Sequence, residues 1–407
     1  MRARFDVQDP VLAAAAWSRL TEPGDTVAGA LVAAAGATGA LAWVFAAADL
    51  GAERDRAVRR LFEHLELVGA EALPDGVPGR RLSAAVARWS PRLETLDPRR
   101  ELSVLASLDG TLVLPGSDAW PVGLADLGTA APHCLWVRGD AGRELLTRSA
   151  ALVGARACTD YGTTVAADLA GGLADRGFCV VSGGAYGIDA AAHRGALAAQ
   201  GASVAVLAGG VDRLYPAGNS ALLERLVSDG GAVVSETPPG SVPSRSRFLQ
   251  RNRLIAAVTR ATVVVEAAWR SGSLSTAARA ADLLRPVGAV PGPVTSMASA
   301  GCHRLLREQQ AVCVTDAAEV AELVGDPEPA SRAEDARDRA SARPHDGLGP
   351  AGRRVLDALA VRRALGAEAL ARAAGLAVNE VLTGLGELEL RGLAHADGDG
   401  WRRGSAR

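Results

Sequence analysis

Between residues 150 and 290, short apolar runs rich in β-branched residues alternate with longer stretches of helical period. The strand-like runs are 151–153, 179–182, 204–207, 233–235, 262–265 and 287–290, and helices are expected near 161–175, 188–199, 219–228, 252–259 and 274–284. Strands that are apolar at nearly every position are typical of parallel sheets covered by helices on both faces. The pattern therefore predicts an α/β domain with a doubly wound parallel sheet.

The flanking regions differ from this core. Residues 1–102 are alanine-rich with helical spacing, for example Val58, Leu61, Phe62 and Leu65, and predict an N-terminal helical module. The core is assigned to 103–325, with 134–137 as its first strand.

Two further segments follow the core. Residues 326–349 are rich in Pro, Asp, Glu and Arg and predict a charged linker. In 350–407, three predicted helices at 353–360, 367–373 and 378–390, followed by a hairpin at 392–403, indicate a winged-helix-like domain.

One apolar stretch raises the question of a membrane. Residues 27–48 carry no charge, but they are mostly alanine and contain Gly29, Gly36 and Gly39. Alanine and glycine insert weakly into membranes. Two short helices around a turn at Gly36 and Gly39 are therefore predicted, and no membrane association is expected.

Composition narrows the possible chemistry. All 44 basic residues are arginine, so a lysine Schiff base and a P-loop lysine are excluded. The net charge of −2 means that any basic surface must be local. The five cysteines contain no C-x-x-C pair and indicate small core residues in a reducing, cytoplasmic setting.

Candidate site residues follow the strands, because ligands of open parallel sheets bind at the carboxyl ends of the strands. In Gly154-Ala155-Arg156, Gly154 permits close backbone approach and Arg156 offers a planar fork to a phosphate. The next turn contains a serine and three glycines that predict free N–H groups around an anion: Ser182, Gly183, Gly184 and Gly187.

Two later segments add candidates. Residues 245–253 hold four arginines before a predicted helix, and its candidate contacts are Phe248, Gln250, Arg251, Asn252 and Arg253. Phe248 could stack on a base, whereas a solvated charge run is the alternative interpretation of the arginines. Near Glu266, the residues Ser271, Gly272 and Ser273 offer hydroxyl and N–H donors, although helix capping would account for Ser273 alone.

No catalytic residue, metal ligand or cofactor is predicted. The spacing G-G-x-x-G is not the dinucleotide fingerprint, and no acidic residue ends the following strand. Asp189, His193 and Asp212 are as readily structural as catalytic, and His193 is interpreted as a hydrogen-bonded packing residue.

The order of the motifs resembles the DNA-processing protein A family, also called DprA or Smf. The family's G-S-R, S-G-x-A-x-G-I-D, F-P-x-R-N-R, S-G-S-L-x-T-A and V-P-G-P motifs correspond to residues 154–156, 182–189, 248–253, 271–277 and 290–293. Gly209 to Asp212 and Tyr215-Pro216 are also in register. The chain departs from the family pattern at Ala155, Leu249, Gln250 and His303.

The resemblance implies an extended Rossmann-like core, an N-terminal module of the SAM or helix-hairpin-helix type and a C-terminal winged helix. It also implies a homodimer that binds single-stranded DNA and hands it to a RecA-type recombinase, protecting incoming strands in transformation and recombination.

Two alternatives remain open. One is a nucleotide-processing enzyme of the phosphoribohydrolase kind on a related core, although its expected P-G-G-x-G-T-x-x-E run is absent. The other is a sequence-specific regulator, which Glu380, Glu387 and Glu389 in the presumed recognition helix disfavour.

Overall fold

The structure, a computed structural model, describes residues 3–49, 79–325, 348–359, 364–398 and 400–404. The chain divides into two compact units, residues 1–326 and 327–407. The predicted boundary at residue 102 falls inside the first unit. The helical face predicted around Leu61 and most of the predicted linker lie outside the described residues.

A nine-stranded sheet forms the centre of the first unit. Its strands are β1 (Thr111–Val113), β2 (Leu135–Gly139), β3 (Ser149–Val153), β4 (Cys179–Ser182), β5 (Ser203–Leu207), β6 (Ala232–Ser235), β7 (Ala261–Val264), β8 (Val287–Ala289) and β9 (Val312–Cys313). They lie in the order β1-β2-β6-β5-β4-β3-β7-β8-β9. Seven neighbouring strands of this sheet pair in parallel, in the spatial order β6-β5-β4-β3-β7-β8-β9. The predicted Rossmann-like sheet is confirmed.

The first strand of the sheet differs from the expectation. β1 precedes the predicted strand at 134–137 and pairs with β2, and both β1–β2 and β2–β6 are antiparallel. The parallel sheet is therefore extended by an antiparallel edge. A three-residue strand is too short to show a period in the sequence, which explains why β1 was not predicted.

Helices of the first unit pack on both faces of this sheet and, near the N-terminus, against one another. They are α1 (Pro10–Leu20), α2 (Thr26–Asp49), α3 (Gly79–Leu93), α4 (Arg99–Ala106), α5 (Arg143–Thr147), α6 (Asp160–Asp175), α7 (Ile188–Ala198), α8 (Ser220–Ser228), α9 (Arg245–Val258), α10 (Ser273–Asp282), α11 (Ala300–Arg307) and α12 (Ala317–Val324). Short 3-10 helices span Val122–Ala130, Ala217–Asn219 and Met297–Ser299. Separate apolar clusters fill the two sides of the sheet.

Helix α9 starts seven residues earlier than the predicted helix at 252–259. The Ser244 hydroxyl caps it by accepting a hydrogen bond from the backbone N–H of Arg247. Arginine, leucine and glutamine are good helix formers, so the basic segment continues the helix instead of preceding it. The expectation of an arginine-rich loop before the helix is thus corrected.

Helix α2 contains the apolar stretch. Its backbone is non-helical at Gly36, with φ 70° and ψ 161°, so two helical segments meet there as predicted. By length and composition the helix could cross a membrane, with mean hydropathy 1.8. However, Leu31, Leu41 and Val44 are fully buried in a cluster with Trp17 of α1. This segment serves as the core of the N-terminal helices.

The second unit has helices α13 (Pro350–Ala358), α14 (Ala367–Ala374) and α15 (Val378–Leu390), followed by the antiparallel strands β10 (Ala394–Asp397) and β11 (Gly400–Arg403). Val355, Leu370, Val381 and Leu385 are buried in its own core. The predicted winged-helix-like domain is confirmed.

Candidate nucleic-acid interface

A cavity of about 630 Å³ opens at the carboxyl ends of β3, β4 and β7. From β3 the chain proceeds to β4, β5 and β6 on one side, then crosses back to β7 on the other. Such a reversal leaves a crevice between the loops, and ligands of open α/β sheets bind there. Eight predicted site residues line the cavity: Gly154, Arg156, Phe248, Arg251, Asn252, Ser271, Gly272 and Ser273.

An aromatic ring between two arginines lies at this cavity. The guanidinium carbon of Arg156 is 4.6 Å from the centroid of the Phe248 ring, and that of Arg251 is 5.9 Å away. The exposed ring of Tyr215 packs against Phe248 at 6.0 Å between centroids. Cations beside aromatic rings offer both phosphate binding and base stacking.

Arg251 is the deeply buried cation of the site, with 6% of its surface exposed. One of its terminal nitrogens donates to the carbonyl oxygen of Val206, but its Nε has no hydrogen-bond partner within the described part of the chain. Burial lowers the pKa of Arg251 to about 10, while the charge of Asp189 opposes the shift. Arg251 therefore stays protonated at neutral pH and keeps a donor unused.

Gly183 makes room for this arginine. A Cβ atom added at Gly183 would lie 2.1 Å from a terminal nitrogen of Arg251, which is closer than van der Waals contact permits. The neighbouring Gly187 has φ 77°, and a Cβ there would lie 2.2 Å from the carbonyl oxygen of Ala155. These glycines allow the β3 and β4 loops to pack tightly.

Asp189 occupies part of the predicted anion cradle after β4. The N–H groups of Gly183 and Ala185 donate to Oδ2 of Asp189, at 3.1 and 3.3 Å. Burial raises the pKa of Asp189, and the nearby Arg251 and these hydrogen bonds oppose that rise. The Ser182 hydroxyl donates to Leu152 O. Of the predicted residues, Gly183 therefore has no free N–H group for a ligand, which corrects the expectation at that position.

The loop after β7 lines the opposite side of the cavity. The hydroxyls of Ser271 and Ser273 are 2.7 Å apart, and Asn252 Nδ2 donates to the carbonyl oxygen of Gly272 at 3.3 Å. Glu266, shortly after β7, accepts hydrogen bonds from the backbone N–H and the hydroxyl of Thr159. Its carboxylate holds the start of α6.

Known proteins match this chain over most of its length. The family model for DNA recombination-mediator protein A matches residues 111–325, and the DprA winged helix domain matches 339–400. A putative DNA processing protein DprA of Mycobacterium tuberculosis is 49% identical over 321 residues, covering 74% of this chain and 79% of the relative. The chain belongs to the DNA processing protein A family.

Other members agree with this assignment. Protein Smf of Escherichia coli is 37% identical over 283 residues, covering 68% of this chain and 72% of its own. The X-ray structure of DprA from Streptococcus pneumoniae is similar with a TM-score of 0.53 and 32% identity, covering 65% of this chain and 92% of that one. The family resemblance of the motifs is thus confirmed.

Two of the residues predicted to contact DNA, Gln250 and Arg253, point away from the cavity. Arg253 is 4% exposed and forms a bidentate ion pair with Glu236, with N–O distances of 2.6 and 2.8 Å. The side chain of Gln250 lies beside Gly24 of the N-terminal helices. Both residues share the face of α9 that packs on this module.

Sequence reasoning missed residues on the cavity face of α9. Arg245 and Leu249 line the cavity together with Phe248 and Asn252, at the spacing i, i+3, i+4 and i+7. Had the helix been expected to start at Arg245, this period would have identified Arg245 and Leu249. Tyr215, also missed as a contact, is brought to Phe248 only by the tertiary fold.

His193 is a packing residue, as interpreted from the sequence. It is fully buried, and its Nδ1 lies 2.8 Å from Ser203 Oγ, which itself donates to Val180 O. Nδ1 therefore carries the proton and donates to Ser203. Nε2 has no partner within the described residues, and burial lowers the pKa of His193 to about 3.

The lowered pKa of His193 should make the folded protein less stable in acid. The unfolded chain binds a proton at His193 below about pH 6.5, whereas the folded protein excludes it down to about pH 3. Stability should therefore fall with decreasing pH across this window, by about 2 kcal/mol at pH 5 relative to pH 7. Urea unfolding at both pH values measures the loss, and His193→Leu should reduce it. An unchanged pH dependence in the variant would contradict this role.

Proposed function

We propose that this protein binds single-stranded DNA at the cavity, holding phosphates with Arg156, Arg245 and Arg251 and stacking a base on Phe248. The observation that carries the proposal is the Phe248 ring at the cavity, which has the guanidinium groups of Arg156 and Arg251 at 4.6 and 5.9 Å from its centroid. Guanidinium groups bind phosphate oxygens, and an aromatic ring beside them offers a face on which a base can stack.

The exposed cations support the same proposal. Within the described ranges, no carboxylate lies within 4 Å of the guanidinium groups of Arg156 or Arg245, unlike those of Arg247 and Arg253. Both unpaired arginines are exposed at the cavity. They provide a positive field on a protein whose net charge is −2.

Stacking favours single strands over duplex. In a duplex the base faces are occupied by neighbouring bases, whereas an unstacked base can lie on the Phe248 ring. Since one stacked base contributes about 1–3 kcal/mol, a 20-nucleotide single strand should bind at least about five-fold more tightly than the matching duplex. Fluorescence anisotropy across salt concentrations measures both affinities. Equal affinity for duplex would contradict the proposal.

The bound strand is then passed to a RecA-type recombinase, in transformation and recombination. The family's description as a recombination mediator supports this role. The protein should speed recombinase assembly on single strands coated with a single-strand-binding protein. If the recombinase assembles no faster with this protein than without it, this role is wrong, even if the protein binds the DNA.

The proposed homodimer has a candidate surface at the β9 edge of the sheet. Val312 is 57% exposed on β9, and Leu284, before β8, is 94% exposed. An open strand edge with apolar side chains favours pairing with another chain. Val312→Arg should weaken dimerisation, as measured by sedimentation velocity, whereas Leu390→Arg in the second unit should not. A wild-type monomer at all concentrations would exclude the dimer.

We infer no catalytic step at this cavity. The carboxylate that lines the cavity, Asp189, is engaged by two backbone N–H groups. A phosphoribohydrolase would instead need a free carboxylate to act on the ribosyl bond. Release of adenine from AMP by the purified protein would favour the enzyme alternative.

A further inference from the structure

A half-exposed tryptophan lies in the loop after β7, next to the cavity. Ala268, Ser271 and Gly272 of this loop line the cavity, and Trp269 lies directly after the first of them. Trp269 is 49% exposed. Since neighbouring Cα atoms are about 3.8 Å apart, the ring is attached within a few ångströms of the cavity wall.

Arg304 of α11 packs against this ring. Its guanidinium carbon is 5.1 Å from the centroid of the Trp269 ring, and its Nη1 is 3.5 Å from the carbonyl oxygen of Trp269. The pair repeats the arrangement of Arg156 over Phe248, at 4.6 Å. An arginine beside an exposed indole is the combination that binds a base and its phosphate.

The backbone fixes α11 against the loop. The N–H of Gly301 donates to the carbonyl oxygen of Ala267 at 2.7 Å. A Cβ at Gly301 would lie 2.7 Å from the Cβ of Ala267 and 2.9 Å from the carbonyl oxygen of Ala268, so only glycine permits this approach. Trp269 and Arg304 are therefore held together by packing.

The charge around the ring favours an anion. Arg270 and Arg304 have no carboxylate within 4 Å among the residues that the structure describes, and Arg307 has only Glu308 at 3.9 Å. The carboxylate of Glu266, at the base of the loop, is 2% exposed and bonded to Thr159. A nucleic acid fits this surface better than an apolar protein segment does.

We propose that Trp269 and Arg304 form a second stacking subsite for single-stranded DNA, which continues the strand from the cavity across residues 268–271. The inference rests on the proposed function, because the cavity must bind the first nucleotides. Trp269 stacks a base, and Arg304 holds the ring and contacts a phosphate.

Strand length separates the two subsites experimentally. Competition anisotropy with oligothymidylates of 4 and 20 nucleotides measures affinity for the wild type, Trp269→Ala and Trp269→Phe. Trp269→Ala should weaken binding of the 20-mer about five- to 150-fold and leave the tetramer nearly unchanged, since loss of a stacked base has that range. Trp269→Phe should retain most of the affinity. Arg304→Ala should lower the salt slope for the 20-mer by about 0.7.

The outcomes distinguish this subsite from the cavity. Equal binding of the 20-mer by the wild type and Trp269→Ala overturns the second subsite. Equal losses for tetramer and 20-mer also overturn it, because the ring would then belong to the first site. If Trp269→Ala changes only the sedimenting mass, the surface is a protein interface and the subsite is wrong. Failure of the wild type to bind either oligonucleotide would instead refute the proposed function.

Discussion

Replacing Arg156 by alanine should weaken single-stranded DNA binding roughly ten- to a hundred-fold without unfolding the protein. The side chain is exposed, lines the cavity and contacts the Phe248 ring, so its loss removes little packing. A charge-assisted hydrogen bond to phosphate contributes about 1.5–3 kcal/mol, which corresponds to that range of affinity. Loss of one phosphate contact should also lower the slope of log affinity against log salt by about 0.7.

Two further variants sharpen this test. Phe248→Ala should lower affinity with an unchanged salt slope, because stacking releases no counterion. Arg260→Ala is the matched control, since Arg260 is exposed just before β7 at the amino end of the parallel strands, opposite the cavity. Wild-type binding by both Arg156→Ala and Phe248→Ala, with native circular dichroism, would place the DNA elsewhere.

Most of the sheet could be predicted because its strands are buried on both faces. Cys179–Ser182 and Ala232–Ser235 are buried at every position, and such runs stand out from the alternating pattern of exposed strands. The cavity followed from the same pattern, since strand-end loops of a parallel sheet meet at one edge. This is why eight of the predicted contacts converge.

The sequence could not show which way the other predicted DNA-contact residues point, nor which distant residues they bind. Arg251 and Arg253 are only two residues apart, but on a helix they face different sides, one the cavity and the other Glu236. Nothing local in the sequence marks Glu236 as the partner of Arg253, 17 positions away. Similarly, the sequence does not show that Asp189 accepts a hydrogen bond from the N–H of Gly183, because that contact depends on how the turn folds.

For Arg253 we expect the opposite result from that for Arg156. Its replacement should lower the stability of the fold rather than the affinity for DNA. Its ion pair with Glu236 is buried, with the two residues 4% and 8% exposed, and Nε also donates to Ala130 O at 3.1 Å. Removing one partner of a buried pair leaves an uncompensated charge and costs about 3–5 kcal/mol. Arg253→Ala should show this loss in urea unfolding, whereas Arg156→Ala should unfold at the wild-type midpoint.

A double variant decides whether Arg253 also contacts DNA. Replacing both partners, Arg253→Met with Glu236→Leu, removes both buried charges and should recover most of the stability, because apolar pairs of similar size often substitute for buried ion pairs. If Arg253 is structural, the recovered protein should bind single-stranded DNA within about three-fold of the wild type, less than the loss expected for one phosphate contact. A stable double variant that binds at least about ten-fold more weakly would restore Arg253 to the phosphate contacts that the sequence predicted. Because Arg253 carries no exposed guanidinium toward the cavity, we expect the first result.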